Sequence, residues 1–258
     1  MQNNEEKRVT LRYVEFHAYD GCNLNCRVCS HFAPLFAGCD IPDMRDIVHS
    51  LEYLARLFSH VDTIRILGGE PLLNRELPEI LCAVRRIMPE SSISLVTNGL
   101  LLEEWGESLA KIMAQQQVKL CVTHYPVNTQ RIRNSVPLYR AAGVEISISP
   151  VTDRFRLFLT QQKQKDSFVR CQLKNCTFLR DGKLYQCALS ALVGQYNCRF
   201  GTNFPETDGI DLATATSGED VLHRLSDSCD LCRYCDDSDR LVAWRAADNM
   251  QSSDWLGE

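Results

Sequence analysis

Cys22, Cys26 and Cys29 lie in the stretch C-N-L-N-C-R-V-C-S, at spacings of four and three residues. Such spacing is too tight for a disulfide framework and suits one inorganic centre. Thiolates hold iron–sulfur clusters, and two or three residues between cysteines let several sulfurs converge. A [4Fe–4S] cube takes four ligands and this loop offers three. One iron would then stay open to a substrate or cofactor, making the cluster a reagent rather than an electron wire. The same thiols fit part of a zinc knuckle with C-x2-4-C spacing. With Cys39 as a fourth ligand they fit a ferredoxin-like carrier.

A second set of thiols lies near the C-terminus. Residues 176–187, C-T-F-L-R-D-G-K-L-Y-Q-C, read as a β-hairpin turning at Asp181-Gly182. That turn sets Phe178 opposite Tyr185 and Leu179 opposite Leu184. Continued outward, it sets Cys176 opposite Cys187, two thiols on one face and ready for a shared metal. Cys229, Cys232 and Cys235 follow in C-D-L-C-R-Y-C. Cys39, Cys82, Cys121 and Cys198 read as ordinary small core or surface residues.

The elements that must carry these groups alternate. Residues 11–19 read as a strand, and Asp43 opens a helical pattern through Phe58. Residues 61–67 are a strand ending in Gly68-Gly69-Glu70-Pro71. Strands at 92–96, 118–123 and 144–149 alternate with helices near 77–88, 102–115 and 132–139, the last stopping at Gly143. This βα alternation predicts a parallel sheet with right-handed crossovers. Every polar motif follows a strand, where ligands bind in such folds. Residues 151–170 show no clear period and read as a linker or irregular helix. A helix carrying Val221, Leu222 and Leu225 leads to the last cysteines, and the tail after Trp244 shows no legible motif.

The 258 residues, 45% apolar, suffice for one large α/β domain with a small appendix. A net charge of −5 gives no reason to expect nucleic acid or an anionic membrane as partner. No apolar run is long enough to span a bilayer, and the polar start lacks the core of a secretory signal. Thirteen cysteines, an odd count, suit thiolate chemistry in a reducing, cytoplasmic setting.

Cys22-x3-Cys26-x2-Cys29 after the first strand, with Gly68-Gly69-Glu70-Pro71 after the second, resembles the radical S-adenosylmethionine (SAM) superfamily over residues 9–150. The resemblance implies an α/β fold, a partial (β/α)6 TIM-like barrel with a small cysteine-rich C-terminal extension containing the β-hairpin. It implies that Cys22, Cys26 and Cys29 hold a [4Fe–4S] cluster whose open iron is chelated by SAM. Reduction would cleave the sulfonium to methionine and a 5′-deoxyadenosyl radical, which takes a hydrogen atom from substrate. Gly68, Gly69, Glu70 and Pro71 would bind SAM. The glycines allow close backbone approach to the ligand, and Glu70 can accept from its ammonium. Glu70 also fits a simpler role, a helix-start carboxylate ahead of Pro71. Val28 stands where the family often has an aromatic beside the adenine. Thr97, Asn98, His124 and Tyr125 sit at strand ends facing the same mouth.

Beyond a linker at 151–170, residues 171–258 resemble the SPASM or twitch extensions. Cys171-x10-Gly182-x4-Cys187 matches the opening half of that pattern. Cys229-x2-Cys232-x2-Cys235 departs from the longer second half, so one auxiliary [4Fe–4S] cluster is expected rather than two. Its ligands would come from Cys171 or Cys176, Cys187, and two of Cys229, Cys232 and Cys235. A structural zinc site on the same thiols is the simpler alternative. An auxiliary cluster implies a net two-electron oxidation, and the short build resembles dehydrogenases of aminocyclitols and sugars. Only about ten residues precede the first strand, an expectation against an N-terminal leader-binding domain. The substrate is therefore expected to be a carbohydrate-like small molecule, with a peptide substrate as the alternative. An external one-electron reductant such as flavodoxin or ferredoxin is implied. A non-enzymatic zinc–thiolate scaffold is the contrasting reading, and it leaves Glu70 and the glycine turn unexplained.

Overall fold

The computed structural model describes residues 9–36, 41–246 and 249–257. Cys39, offered above as a fourth ligand, lies outside them. The first half alternates as the periodicity predicts. β1 (Thr10–Tyr19), α1 (Met44–Leu57), β2 (His60–Gly68), α2 (Leu77–Ile87), β3 (Ser92–Thr97), α3 (Leu102–Gln115), β4 (Val118–Val122), α4 (Thr129–Ala141) and β5 (Ile146–Ile148) follow in turn. The five strands pair parallel in sequence order. Asp43 caps α1, its carboxylate accepting from Arg45 N at 2.8 Å. Gly106 interrupts α3, with φ 49° and ψ −138°.

The second half is β6 (Arg154–Arg156), β7 (Leu159–Thr160), β8 (Phe178–Arg180), β9 (Lys183–Tyr185), α5 (Ala188–Phe200), β10 (Ile210–Asp211), α6 (Gly218–Leu225), β11 (Leu241–Ala243) and β12 (Leu256–Gly257). The hairpin β8–β9 forms in the expected register, Phe178 opposite Tyr185 and Leu179 opposite Leu184. Asp181 and Gly182 both take positive φ, 50° and 73°. That backbone twist matches the flanking strands.

Strand β8 does more than turn. It runs parallel to β1, with Glu15 opposite Phe178. The sheet order is therefore β10-β9-β8-β1-β2-β3-β4-β5, six parallel strands with two antiparallel ones at the β8 side. The (β/α)6 half-barrel takes its sixth strand from the hairpin. A core ending at residue 150 leaves that strand out, and the sheet reaches Asp211. Residues 151–170 are not a helix. β6 pairs antiparallel with β11, and β7 pairs parallel with β12. The segment forms no period of its own because its partners come from the far C-terminus.

Strand alternation divides the sheet into two faces. Val14, Phe16, Ala18, Ile64, Ile66, Leu95 and Leu120 pack outward against α1–α4. Tyr13, Glu15 and His17 alternate with them on β1 and belong to the other face. A second apolar cluster joins Phe32 to Phe178, Leu192, Tyr196 and Trp255, welding the cysteine loop to α5 and the tail. Among the described residues no helix is long and apolar enough to cross a membrane.

Asp20 ties β8 to the end of β1. It is 1% exposed, accepts from both terminal nitrogens of Arg180 at 2.9 Å, and lies 2.6 Å from His17 Nδ1. Burial pushes its pKa up, but the bonds to His17 and Arg180 prevail and hold it below the ordinary value. Arg180→Met would leave the carboxylate buried without its cation, a loss of about 3–5 kcal/mol. A carboxylate with a depressed folded-state pKa stabilises above its unfolded pKa and loses that contribution as pH falls through the folded one. In urea melts the gap between wild type and Arg180→Met should be full at neutral pH and narrow below about pH 4. A gap independent of pH would deny Asp20 this role.

Candidate active site

The cysteine loop leaves β1 directly above the exit of β2, and the two exits lie in contact. Gly69 N donates to Tyr19 O at 2.8 Å, and Glu70 N to Gly21 O at 2.9 Å. A Cβ on Gly68, whose φ is 155°, would stand 2.1 Å from Tyr19 O; one on Gly69 would stand 2.1 Å from Gly21 O. Both positions therefore require glycine. The close approach that demands it is to the chain's own backbone, at the root of the loop.

The loop bends sharply. Asn25, Val28 and Phe32 have φ of 45°, 67° and 51°. Left-handed backbone is costly for a β-branched residue, and such strain gathers at functional sites. Cys22, Cys26 and Cys29 line one cleft with Gly68, Gly69, Thr97 and Asn98. Val28 is buried beneath the loop and is not among the lining residues. Cys22 Sγ accepts from Leu24 N at 3.4 Å and Asn98 Nδ2 at 3.8 Å. Cys26 Sγ accepts from Trp244 Nε1 at 3.1 Å.

Burial pushes the thiols of Cys22 and Cys26 up to about 12, and that of Cys29 up as well. Three thiols this reluctant to ionise become thiolates only against a cationic centre, while the N–H donors already aimed at two sulfurs favour the anion. The donor set thus fits an iron–sulfur cluster. Among the described residues no three His, Cys, Asp or Glu side chains converge as a single metal ion requires. A zinc ion with Zn–S near 2.3 Å needs its sulfurs about 3.8 Å apart, whereas each thiolate of a cubane binds its own iron.

Glu70 is fully buried. It accepts from Thr97 Oγ1 at 2.6 Å, Asn98 N at 2.8 Å and Leu72 N at 3.0 Å. Burial lifts its pKa to about 7 against the pull of these donors. It therefore does the helix-start work at Pro71 and also pins β3 to β2. A carboxylate has about four acceptor sites, so three donors leave one. Of the histidines and tyrosine facing the mouth, Tyr125 lines the cleft. His124 Nε2 instead lies 2.8 Å from Thr129 Oγ1 at the start of α4. His17 is buried behind His31, which lines the cleft in its place, 3.0 Å from His17 Nε2.

The tail after Trp244 closes the loop from above. Arg27 N donates to Arg245 O at 3.0 Å, and Cys26 bridges Ala246. Trp255 Nε1 donates to Cys29 O at 3.0 Å, and Arg27 pairs with buried Asp254. Phe155, on β6, lines the cleft beside Tyr125, which stacks on Trp244 at 5.6 Å between centroids. The sequence pattern signals none of these partners; two tryptophans in a polar tail were the only hint.

Across β6 lies a second cleft, lined by Cys171, Cys187, Cys232 and Cys235 with Arg156. Cys187 lies within electrostatic reach of Cys171 and Cys229, and Cys235 of Cys171, Cys187 and Cys229. Cys229 Sγ and Cys232 Sγ approach to 3.6 Å. That contact pulls Cys229 down, while burial holds Cys187 up at about 11. Cys176 is not among that lining; the charged groups within its reach are Glu15, Cys171 and Arg65. The pairing with Cys187 fails because β9 ends at Tyr185 and Cys187 turns away to cap α5.

Residues 17–142 match the family model of the Radical SAM superfamily. The GTP 3′,8-cyclase of Staphylococcus carnosus (strain TM300) is 35% identical over 104 residues, 38% of this chain. The chain spans 30% of the length of that relative. The solved structure of BtrN in complex with AdoMet and 2-DOIA shares the fold along nearly its whole length. Its TM-score is 0.56 at 14% identity, covering 90% of this chain and 98% of that one. Streptococcus suis SuiB bound to S-adenosylmethionine scores 0.44 at 16% identity, covering 61% of this chain and 36% of that one.

Two substitutions test the site. Gly69→Ala forces backbone apart at the loop root and should cost at least ~1–3 kcal/mol, read as a lower melting temperature together with reduced iron retention. Normal stability and full iron would show that the contact tolerates a side chain. Trp244→Phe keeps the ring and deletes the N–H···S bond, worth about 1.5–3 kcal/mol to a charged acceptor. The N-terminal cluster's midpoint potential should become more negative; an unmoved potential would leave Trp244 with a packing role.

Proposed function

We propose that this chain reductively cleaves SAM and uses the resulting radical to oxidise a carbohydrate-like small molecule by two electrons, assisted by one auxiliary [4Fe–4S] cluster. The observation that carries the reading is the second cleft, where Cys171, Cys187, Cys232 and Cys235 share one lining. Cys229 is the alternate to Cys232. The radical SAM core supplies Cys22, Cys26 and Cys29 to the first cluster, and Gly68, Gly69, Glu70, Pro71, Thr97 and Asn98 to SAM. When bound, the first cluster supplies the electron that splits the sulfonium.

The chain's own residues prepare that event. Trp244 and Asn98 stabilise thiolate charge at Cys26 and Cys22. Trp255 and the Arg27–Asp254 pair brace the loop, and Tyr125 and Phe155 wall the cleft from water. Glu70 keeps one acceptor site for an ammonium while holding the β2 and β3 exits together. The BtrN structure, the likeness that spans both chains, has AdoMet and 2-DOIA bound. The match to the cyclase covers 38% of this chain and 30% of that relative, so its reaction is not carried over.

Anaerobic iron counting, with electron paramagnetic resonance before and after SAM, tests the reading. About eight irons are expected, against about four for one cluster. Cys26→Ala should abolish deoxyadenosine formation. Cys187→Ala should spare it and block product, whereas Cys176→Ala should leave the iron count unchanged. Deoxyadenosine formation stimulated by a peptide and not by aminocyclitols or sugars would replace the small-molecule reading with a peptide-modifying one.

A further inference from the structure

Strand β6 is a wall one strand thick between the two clefts. Phe155 lines the cleft of Cys22, Cys26 and Cys29, and the next residue, Arg156, lines the cleft of Cys171, Cys187, Cys232 and Cys235. Alternation along the strand sends the two side chains to opposite sides. The Arg156 side chain is 13% exposed. Its Nε is buried and donates to nothing. Nη1 is ion-paired with Asp239 Oδ1 at 2.6 Å, a carboxylate that is two-thirds exposed. Nη2 reaches only Asp236 O, at 3.4 Å. A buried guanidinium with an idle donor is rare, because each unmade bond costs free energy.

Arg170 is paired with Asp237, and Lys174 stands over the Phe168 ring, as Arg156 does over the Phe158 ring at 5.8 Å. Arg156 lines the same cleft as the thiols. A guanidinium stays charged at any physiological pH and presents several donors in a fixed fork.

We propose that Arg156 is the positioning residue of the auxiliary site, giving its charge and its unpartnered Nε–H to the cluster held there and raising that cluster's reduction potential. The assignment rests on the function proposed above. In that reaction the substrate radical loses one electron to the auxiliary cluster and one proton to solvent. The cluster becomes one unit more negative. A fixed cation and hydrogen bonds to its sulfurs stabilise the more negative state, which makes it the better acceptor.

The test is a potentiometric titration of the auxiliary cluster, followed by electron paramagnetic resonance, in full-length protein carrying Cys22→Ala, Cys26→Ala and Cys29→Ala. Adding Arg156→Met should lower the midpoint by about 59 mV or more, a tenfold change in the reduced fraction at fixed potential. Should that variant lose its iron, Arg156→Gln is read by the same criterion. A full iron complement with an unmoved midpoint overturns the assignment to Arg156 alone. About four irons in the wild-type protein, with none at the second cleft, would instead overturn the function on which it rests.

Discussion

The site depends on the contact between the exits of β1 and β2. Two backbone hydrogen bonds, from Gly69 to Tyr19 and from Glu70 to Gly21, fix where the cysteine loop starts. They form only because neither Gly68 nor Gly69 has a Cβ to keep the chains apart. From that point the rest follows. Glu70 is carried inward to take its three donors, which draws the β3 exit and Asn98 against Cys22. One close approach thus sets the floor of the cleft, the position of the first sulfur and the register of the neighbouring strand end.

The loop's far side is held from a great distance in sequence. Three left-handed residues fold the loop, and Trp244, Asp254 and Trp255 hold it folded. The hydrophobic contact of Phe32 with Tyr196 and Trp255 adds apolar burial to those polar ties. The energy that keeps the strained loop in place therefore comes from the C-terminal half.

How much of this was legible follows from how local each feature is. Each step of the strand–helix alternation and the Asp181-Gly182 turn is carried by a short local pattern, and the structure bears both out. The stripe Ala188, Leu189, Leu192, Val193 and Tyr196 had helical spacing and could have been read as α5. The parallel pairing of β8 with β1 could not. It joins segments about 160 residues apart through two paired residues, and no pattern in a three-residue strand names its neighbour. The same holds for β6 and β7, whose partners lie in the tail. Cys176 shows how a correct register can mislead. The opposition of Phe178 with Tyr185 is real, but extrapolating it by two residues assumes a strand that α5 has already ended.

The extension is therefore no appendage. It provides the sixth parallel strand, the cation that pairs with buried Asp20 and the cover of the cysteine loop. Its β6–β11 ribbon is also the partition between the clefts. The ribbon puts Phe155 on one side and Arg156 on the other, and β11 leads within one residue to Trp244 at Cys26. Side-chain direction in a strand is set by the backbone, so neither residue can change sides without a register shift that moves the whole ribbon. The environment of one set of thiols is thereby tied mechanically to that of the other. A chain that lost this ribbon would lose both the donor at Cys26 and the cation lining the second cleft, and with them the electrostatic asymmetry between the two sites.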